Sequence, residues 1–206
     1  MLSIEQLKKI DKESMYKTYD KWPQIAQECY NKEFSKVDMK NIDHIVFAGM
    51  GGSGTIGDIF SSILSKTELH VTVVKGYLLP KTVDEKTLVV STSISGNTDE
   101  TLSILSNSQK NNAKFVAFSS GGIMEKYCHK NSVEYYKIKS EHSPRASFLG
   151  FLYTLWYASY IPQSFSVCAS LSTPLSFKVL IAELYLLALS PPNASADAIL
   201  VTPLNK

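Results

Sequence analysis

Glycines and hydroxyl side chains crowd into two short stretches of this chain. One is Gly49-Met50-Gly51-Gly52-Ser53-Gly54, the other Ser91-Thr92-Ser93-Ile94-Ser95-Gly96-Asn97-Thr98. Each follows an apolar run, Ile45-Val46-Phe47-Ala48 and Leu88-Val89-Val90, and each precedes a helix-like pattern. A strand that passes through Gly and Ser into a helix makes an anion site. The first N–H groups of the helix have no carbonyl partner, and the helix dipole adds partial positive charge there. Glycine lets a ligand approach the backbone, and hydroxyls add neutral donors. Ser93, Ser95 and Thr98 alternate so that two hydroxyls lie on one side of an extended turn and the third caps the next helix, whose first turn carries Asp99 and Glu100. Two such loops in consecutive β-α units suggest a phosphate held from two sides. Neither loop has a P-loop lysine, so the bound group need not be a nucleoside triphosphate.

Blander readings stand beside this one. Glycines also serve tight turns, and Ser95 and Thr98 also serve as simple helix caps. The first loop spells GxGxxG, the dinucleotide-binding pattern, which is weak alone. In a dinucleotide fold an acid follows the second strand to hold the ribose. Here Val71-Thr72-Val73-Val74 runs into Lys75-Gly76, which leaves at most a contact to a 2′-phosphate and gives the Ser-rich loop no role.

The positioning elements follow from the apolar pattern. Strands are expected at 43–48, 70–74, 87–91, 114–118 and 133–138, and helices at 53–65, 97–110, 121–130 and 146–160. Two more helices are expected within 3–35, with Pro23 near the start of the second. Alternation at this spacing predicts an α/β fold, a parallel sheet with helices on both faces, and both loops at the carboxyl ends of strands. The apolar stripe Phe148, Leu149, Phe151, Leu152, Leu155 and Trp156 is expected to seek a partner, most simply a second copy in a homo-oligomer such as a dimer.

Beyond Pro162 the chain changes character. Its charged residues from 161 to 206 are Lys178, Glu183, Asp197 and Lys206, and Phe177 to Leu189 is almost wholly apolar. The division expected is 1–160 as one domain with its N-terminal helices, and 161–206 as an atypical segment. That segment is either a buried helix with a loose tail or a stretch foreign to the fold through truncation or a shifted frame. A net charge of +2 argues against a nucleic-acid partner. No apolar run is long enough to predict a membrane span, and Met1-Leu2-Ser3-Ile4-Glu5 lacks a signal peptide's basic start, so a cytoplasmic protein is expected. Cys29, Cys128 and Cys168 form no CxxC pair and read as incidental thiols.

GMGGSGTIGD (49–58), SISGNTDETL (93–102) and Pro144-Arg145, in that order, resemble the SIS (sugar isomerase) domain. More narrowly they resemble the N-terminal half of the archaeal-type bifunctional phosphoglucose/phosphomannose isomerases, over roughly residues 15–160. The resemblance implies a five-stranded parallel sheet of flavodoxin-like winding and aldose–ketose isomerisation of hexose 6-phosphates through a cis-enediol. It implies neither a metal nor a redox cofactor. By the same resemblance Gly51, Gly52 and Ser53 line the sugar pocket, Ser93, Ser95 and Thr98 bind phosphate, and Arg145 is catalytic, a fixed cation beside the reacting carbons. The family pattern has a second SIS half that supplies the glutamate base, a histidine and a lysine, and the chain is expected to end where that half would begin. His44, His70 and His129 read as structural or solvated. His142, near Arg145, and Glu183 are the poor remaining candidates for proton transfer. The functional expectation is therefore a phosphosugar isomerase domain incomplete as a catalyst; the alternative is a sugar-phosphate sensor that binds without turnover.

Overall fold

Each apolar run becomes a strand of one sheet: β1 (His44–Gly49), β2 (His70–Val74), β3 (Thr87–Ser93), β4 (Lys114–Ser119) and β5 (Glu134–Lys137). The computed structural model describes residues 3–32, 34–65, 67–110 and 112–159. Expectations for 161–206, Glu183 among them, lie outside the described residues. The strand order is β2-β1-β3-β4-β5 and every pairing is parallel. A parallel sheet is covered on both faces, so its central strands read as unbroken apolar runs rather than alternating ones. Accordingly every residue of β1 and β3 is buried. The winding runs one way from β1 to β2 and the other way from β1 to β3. That reversal opens a crevice at the carboxyl ends of β1 and β3.

Seven helices surround the sheet among the described residues: α1 (Ile4–Ile10), α2 (Met15–Asp20), α3 (Trp22–Asn31), α4 (Gly51–Leu64), α5 (Asp99–Ser106), α6 (Gly122–Asn131) and α7 (Phe148–Ser159). Side chains alternate across a strand, which sorts the core into two layers. Val46, Ala48, Val89, Phe115 and Ala117 pack with Ile104 and Leu105 of α5 and Met124 and Cys128 of α6. On the other face Phe47 stacks on Phe60 of α4 with centroids 5.5 Å apart, and Phe60 meets Trp156 of α7. Helices α3 and α4 both pack against α7. The link from β2 to β3 contains no helix; its Leu79 and Val83 instead lie against the α5–α6 layer.

One expectation is corrected here. The N-terminal region holds three helices, not two. Asp11 accepts the Tyr16 N–H at 2.8 Å and Ser14 is left-handed (φ 57), so the chain breaks between Ile10 and Met15. Ser3 and Gln6 cap α1 reciprocally, Gln6 N donating to Ser3 Oγ at 3.2 Å and Ser3 N to Gln6 Oε1 at 2.9 Å. Of the apolar stripe on α7, Leu149, Phe151, Leu152 and Leu155 are buried, while Phe148 and Trp156 are half-buried.

Candidate functional site

Helix α4 starts at Gly51, two residues earlier than the pattern predicts, because Gly51 takes a left-handed φ of 53° that swings Met50 into an extended entry. The Met50 carbonyl accepts from Ser53 N at 3.0 Å and Gly54 N at 3.3 Å. The N–H groups of Gly51 and Gly52, ahead of these, have no intrahelical carbonyl. Both glycines are exposed, and a Cβ on either would meet nothing within 4 Å. Gly54 and Gly57 serve packing instead. A Cβ at Gly54 would lie 2.7 Å from the Gly49 carbonyl oxygen, and one at Gly57 would lie 2.9 Å from Phe47 Cβ. Ser53 is buried in the first turn.

Strand β3 runs two residues beyond expectation and ends on Ser93. In register, Gly49 lies opposite Thr92 and Ser93 opposite Ser119. The two loops therefore leave adjacent strands about 4.8 Å apart. The Ser93 hydroxyl, buried, accepts from Gly96 N at 3.1 Å and pairs with Thr98 Oγ1 at 2.9 Å. Ser95, exposed, accepts from Asn97 N at 3.2 Å. Thr98 stands at the N-cap of α5 with extended backbone, yet its hydroxyl makes no cap bond. The expected side-chain cap is thus corrected: Ser93 takes that hydroxyl, and the first-turn N–H groups of α5 are left without a side-chain cap. The fold brings the residues singled out in the two loops to one crevice, with Gly51, Gly52 and Ser53 on one side and Ser93, Ser95 and Thr98 on the other.

A third stretch, Ser119-Ser120-Gly121-Gly122 after β4, is not among the residues that motif and spacing singled out. Ser120 donates to the Ile94 carbonyl from both N (3.1 Å) and Oγ (2.6 Å). Ile123 N donates to Asn97 Oδ1 at 2.9 Å and Met124 N to the Gly96 carbonyl at 2.9 Å. The start of α6 is therefore occupied by the Ser93–Thr98 loop itself. Of the three helices that begin at this rim, α4 and α5 keep open N–H groups and α6 does not. The signal was present: an apolar run, Phe115 to Phe118, followed by Ser-Ser-Gly-Gly.

Arg145 is exposed in the turn before α7, and its guanidinium has no hydrogen bond or ion pair among the described residues. That turn is docked on the N-terminal helices. Trp22 Nε1 donates to the Ala146 carbonyl at 3.2 Å, and Ser143 Oγ donates to Met15 sulfur at 3.4 Å. His142 Nε2 lies 3.1 Å from the Glu13 carbonyl oxygen and 3.8 Å from its carboxylate. Among the described residues no hydrogen bond links Arg145 or His142 to either loop. Near the rim, Asp58 pairs with Lys75 at 2.7 Å and Glu125 with Lys137 at 2.9 Å, the latter raising the Lys137 pKa. Glu100 beside Tyr77 holds that phenol above its ordinary value. Burial pushes the Cys128 thiol up to about 11, which removes it as a nucleophile. Among the described residues no three His, Cys, Asp or Glu side chains gather to hold a metal.

A five-stranded parallel sheet in the order 2-1-3-4-5, with helices on both faces and Gly- and Ser-rich turns at its switch point, defines a doubly wound α/β domain. The model of the SIS domain family matches residues 38–156, and the chain belongs to that family. It is 35% identical over 137 residues to the bifunctional phosphoglucose/phosphomannose isomerase of Caldicellulosiruptor bescii, an alignment covering 65% of this chain and 40% of that protein. It is 42% identical over 110 residues to the Thermoplasma volcanium protein of the same name, covering 53% of this chain and 34% of that one. The chain thus spans well under half the length of these relatives. Its fold is similar to the C-terminal domain of glucosamine-fructose-6-phosphate aminotransferase from Francisella tularensis (TM-score 0.54, 17% identity, covering 74% of this chain and 49% of that one). No described helix is long and apolar enough to cross a membrane.

Proposed function

We propose that the crevice between Gly51–Ser53 and Ser93–Thr98 binds the phosphate of a hexose 6-phosphate, and that the chain serves aldose–ketose isomerisation of such sugars. The observation that carries this is the adjacency of two open helix starts, α4 and α5, fixed by the Gly49–Thr92 register. An oxyanion there receives backbone N–H groups from both sides and hydroxyls from Ser95 and Thr98. The names of the relatives favour a phosphohexose over other anions. Arg145 is assigned the enediolate: a guanidinium without a partner among the described residues is available to developing negative charge once substrate binds. Calorimetry with glucose and glucose 6-phosphate tests the reading. Preference for the phosphorylated sugar is expected, and equal affinity overturns it. A turnover assay from fructose 6-phosphate separates the isomerase from a sensor that only binds. The expected homo-oligomer is kept as part of this proposal. Its support is the exposed apolar residues Ile4, Ile10, Tyr77, Leu78 and Ile123 beside the half-buried Phe148 and Trp156 of α7, and a monomer by sedimentation removes it.

A further inference from the structure

We propose that Asn97 is a positioning residue for the phosphate loop: it binds no ligand but fixes the loop by capping α6. The inference rests on the phosphate site proposed above. Asn97 Oδ1 accepts the Ile123 N–H at 2.9 Å, one of the orphan donors at the start of α6. The neighbouring Gly96 carbonyl accepts the next one, from Met124 N. These two bonds, with the paired Ser120 bonds to the Ile94 carbonyl, hold residues 94–97 against the start of α6. The contact has no slack. Gly96 is left-handed (φ 69), and a Cβ there would collide with the Gly121 carbonyl oxygen. One on Gly122 would lie 2.5 Å from both Asn97 Oδ1 and the Ser95 carbonyl oxygen. Helix α6, anchored in the core by buried Met124 and Cys128, is thereby a rigid template against which the turn is cast. The ligand-facing consequence is indirect. Release of Asn97 frees the turn that sets where Ser95 and Thr98 hydroxyls stand relative to the α5 N–H groups. Small misplacements of binding groups carry large losses in affinity and rate.

The test uses the full chain, with glucose 6-phosphate as probe and calorimetry at low and high salt beside thermal melts. Asn97→Ala is expected to weaken binding about tenfold or more at every ionic strength, the scale of one lost hydrogen bond acting through a loop. Asn97→Asp keeps the acceptor, and acid is favoured at a helix start, so the turn re-forms. Its added charge repels the phosphate at low salt and is screened at high salt. Near wild-type affinity for Asn97→Asp at high salt supports positioning. If Asn97→Asp stays as weak as Asn97→Ala at high salt, the side-chain N–H₂ touches the ligand directly and the proposal falls. It falls too if Asn97→Ala binds as wild type, or if affinity loss merely tracks a fall in melting temperature across all variants. Failure of the wild-type chain to prefer glucose 6-phosphate over glucose overturns the phosphate site itself, a different result from any of these.

Discussion

At the start of α5 the Thr98 hydroxyl bonds Ser93 and leaves its helix uncapped. A self-capped helix end has one fewer donor for a ligand, so this pairing is what keeps the α5 start receptive. Replacing Ser95 and Thr98 together with alanine is expected to weaken hexose phosphate binding by about 1–3 kcal/mol, the range for hydrogen bonds to a charged group. Calorimetry beside unchanged circular dichroism checks it. At the opposite end of the sheet, His44 is buried between Thr87 Oγ1 (3.2 Å) and Thr72 Oγ1 (3.1 Å), with the His70 ring 4.6 Å away. Burial, then the proximity of His70, lowers its pKa below the ordinary 6.5. The unfolded chain therefore binds the proton more readily, and stability rises with pH through the window below 6.5. It is fully present above that value and lost as pH falls toward the folded pKa. The urea midpoint should fall between pH 7 and pH 5, and His44→Gln should flatten that part of the fall. An equally steep fall in the variant removes His44 as its cause.

Strands were the most legible elements. β2 spans the residues its pattern predicts although it is a half-buried edge strand, β1 shifts by one residue and β4 runs one residue further, and in β1 and β4 burial on both faces imposes continuous apolar runs. Helix starts were less legible, since α4 begins where Gly51 turns rather than where apolar spacing begins. The break between α1 and α2 and the union of the 94–97 and 119–124 loops were not legible. The first is set by Asp11 reaching Tyr16, and the second is a contact between distant segments with no periodic trace. The glycines of GxGxxG look equivalent in sequence and divide in space: Gly51 borders open space while Gly54 faces the backbone of Gly49. That division makes a prediction for α4. Gly57→Ala forces a methyl against Phe47 and should cost about 1–3 kcal/mol of stability, as overpacked sites do. Gly52→Ala meets open space, so its stability should stay close to wild type. Urea denaturation of both variants checks the contrast, and an equal change in the two would remove the contact with Phe47 as the cause.

For the molecule as a whole, grip and proton transfer are separate tasks, and the first is the one proposed for the described residues. The two loops offer backbone N–H groups and hydroxyls, and Arg145 is the cation proposed to join them. Aldose–ketose isomerisation also needs a base that moves a proton between neighbouring carbons, within hydrogen-bond reach of both. The rim carboxylates Asp58 and Glu125 are held by Lys75 and Lys137, and His142 is turned toward Glu13. The 206-residue chain on its own is therefore expected to bind hexose phosphate while turning it over far below the ordinary range of roughly 1–10³ s⁻¹. A missing general base alone removes about 10²–10⁴-fold. The measurement is kcat on the purified chain from fructose 6-phosphate, with His142→Ala and Glu183→Gln beside it and glucose 6-phosphate affinity recorded for each. Binding with collapsed turnover, unchanged in both variants, is the expected pattern. A wild-type kcat within the ordinary range would place a base in this chain after all, and its loss in one of the two variants would say which residue carries the proton.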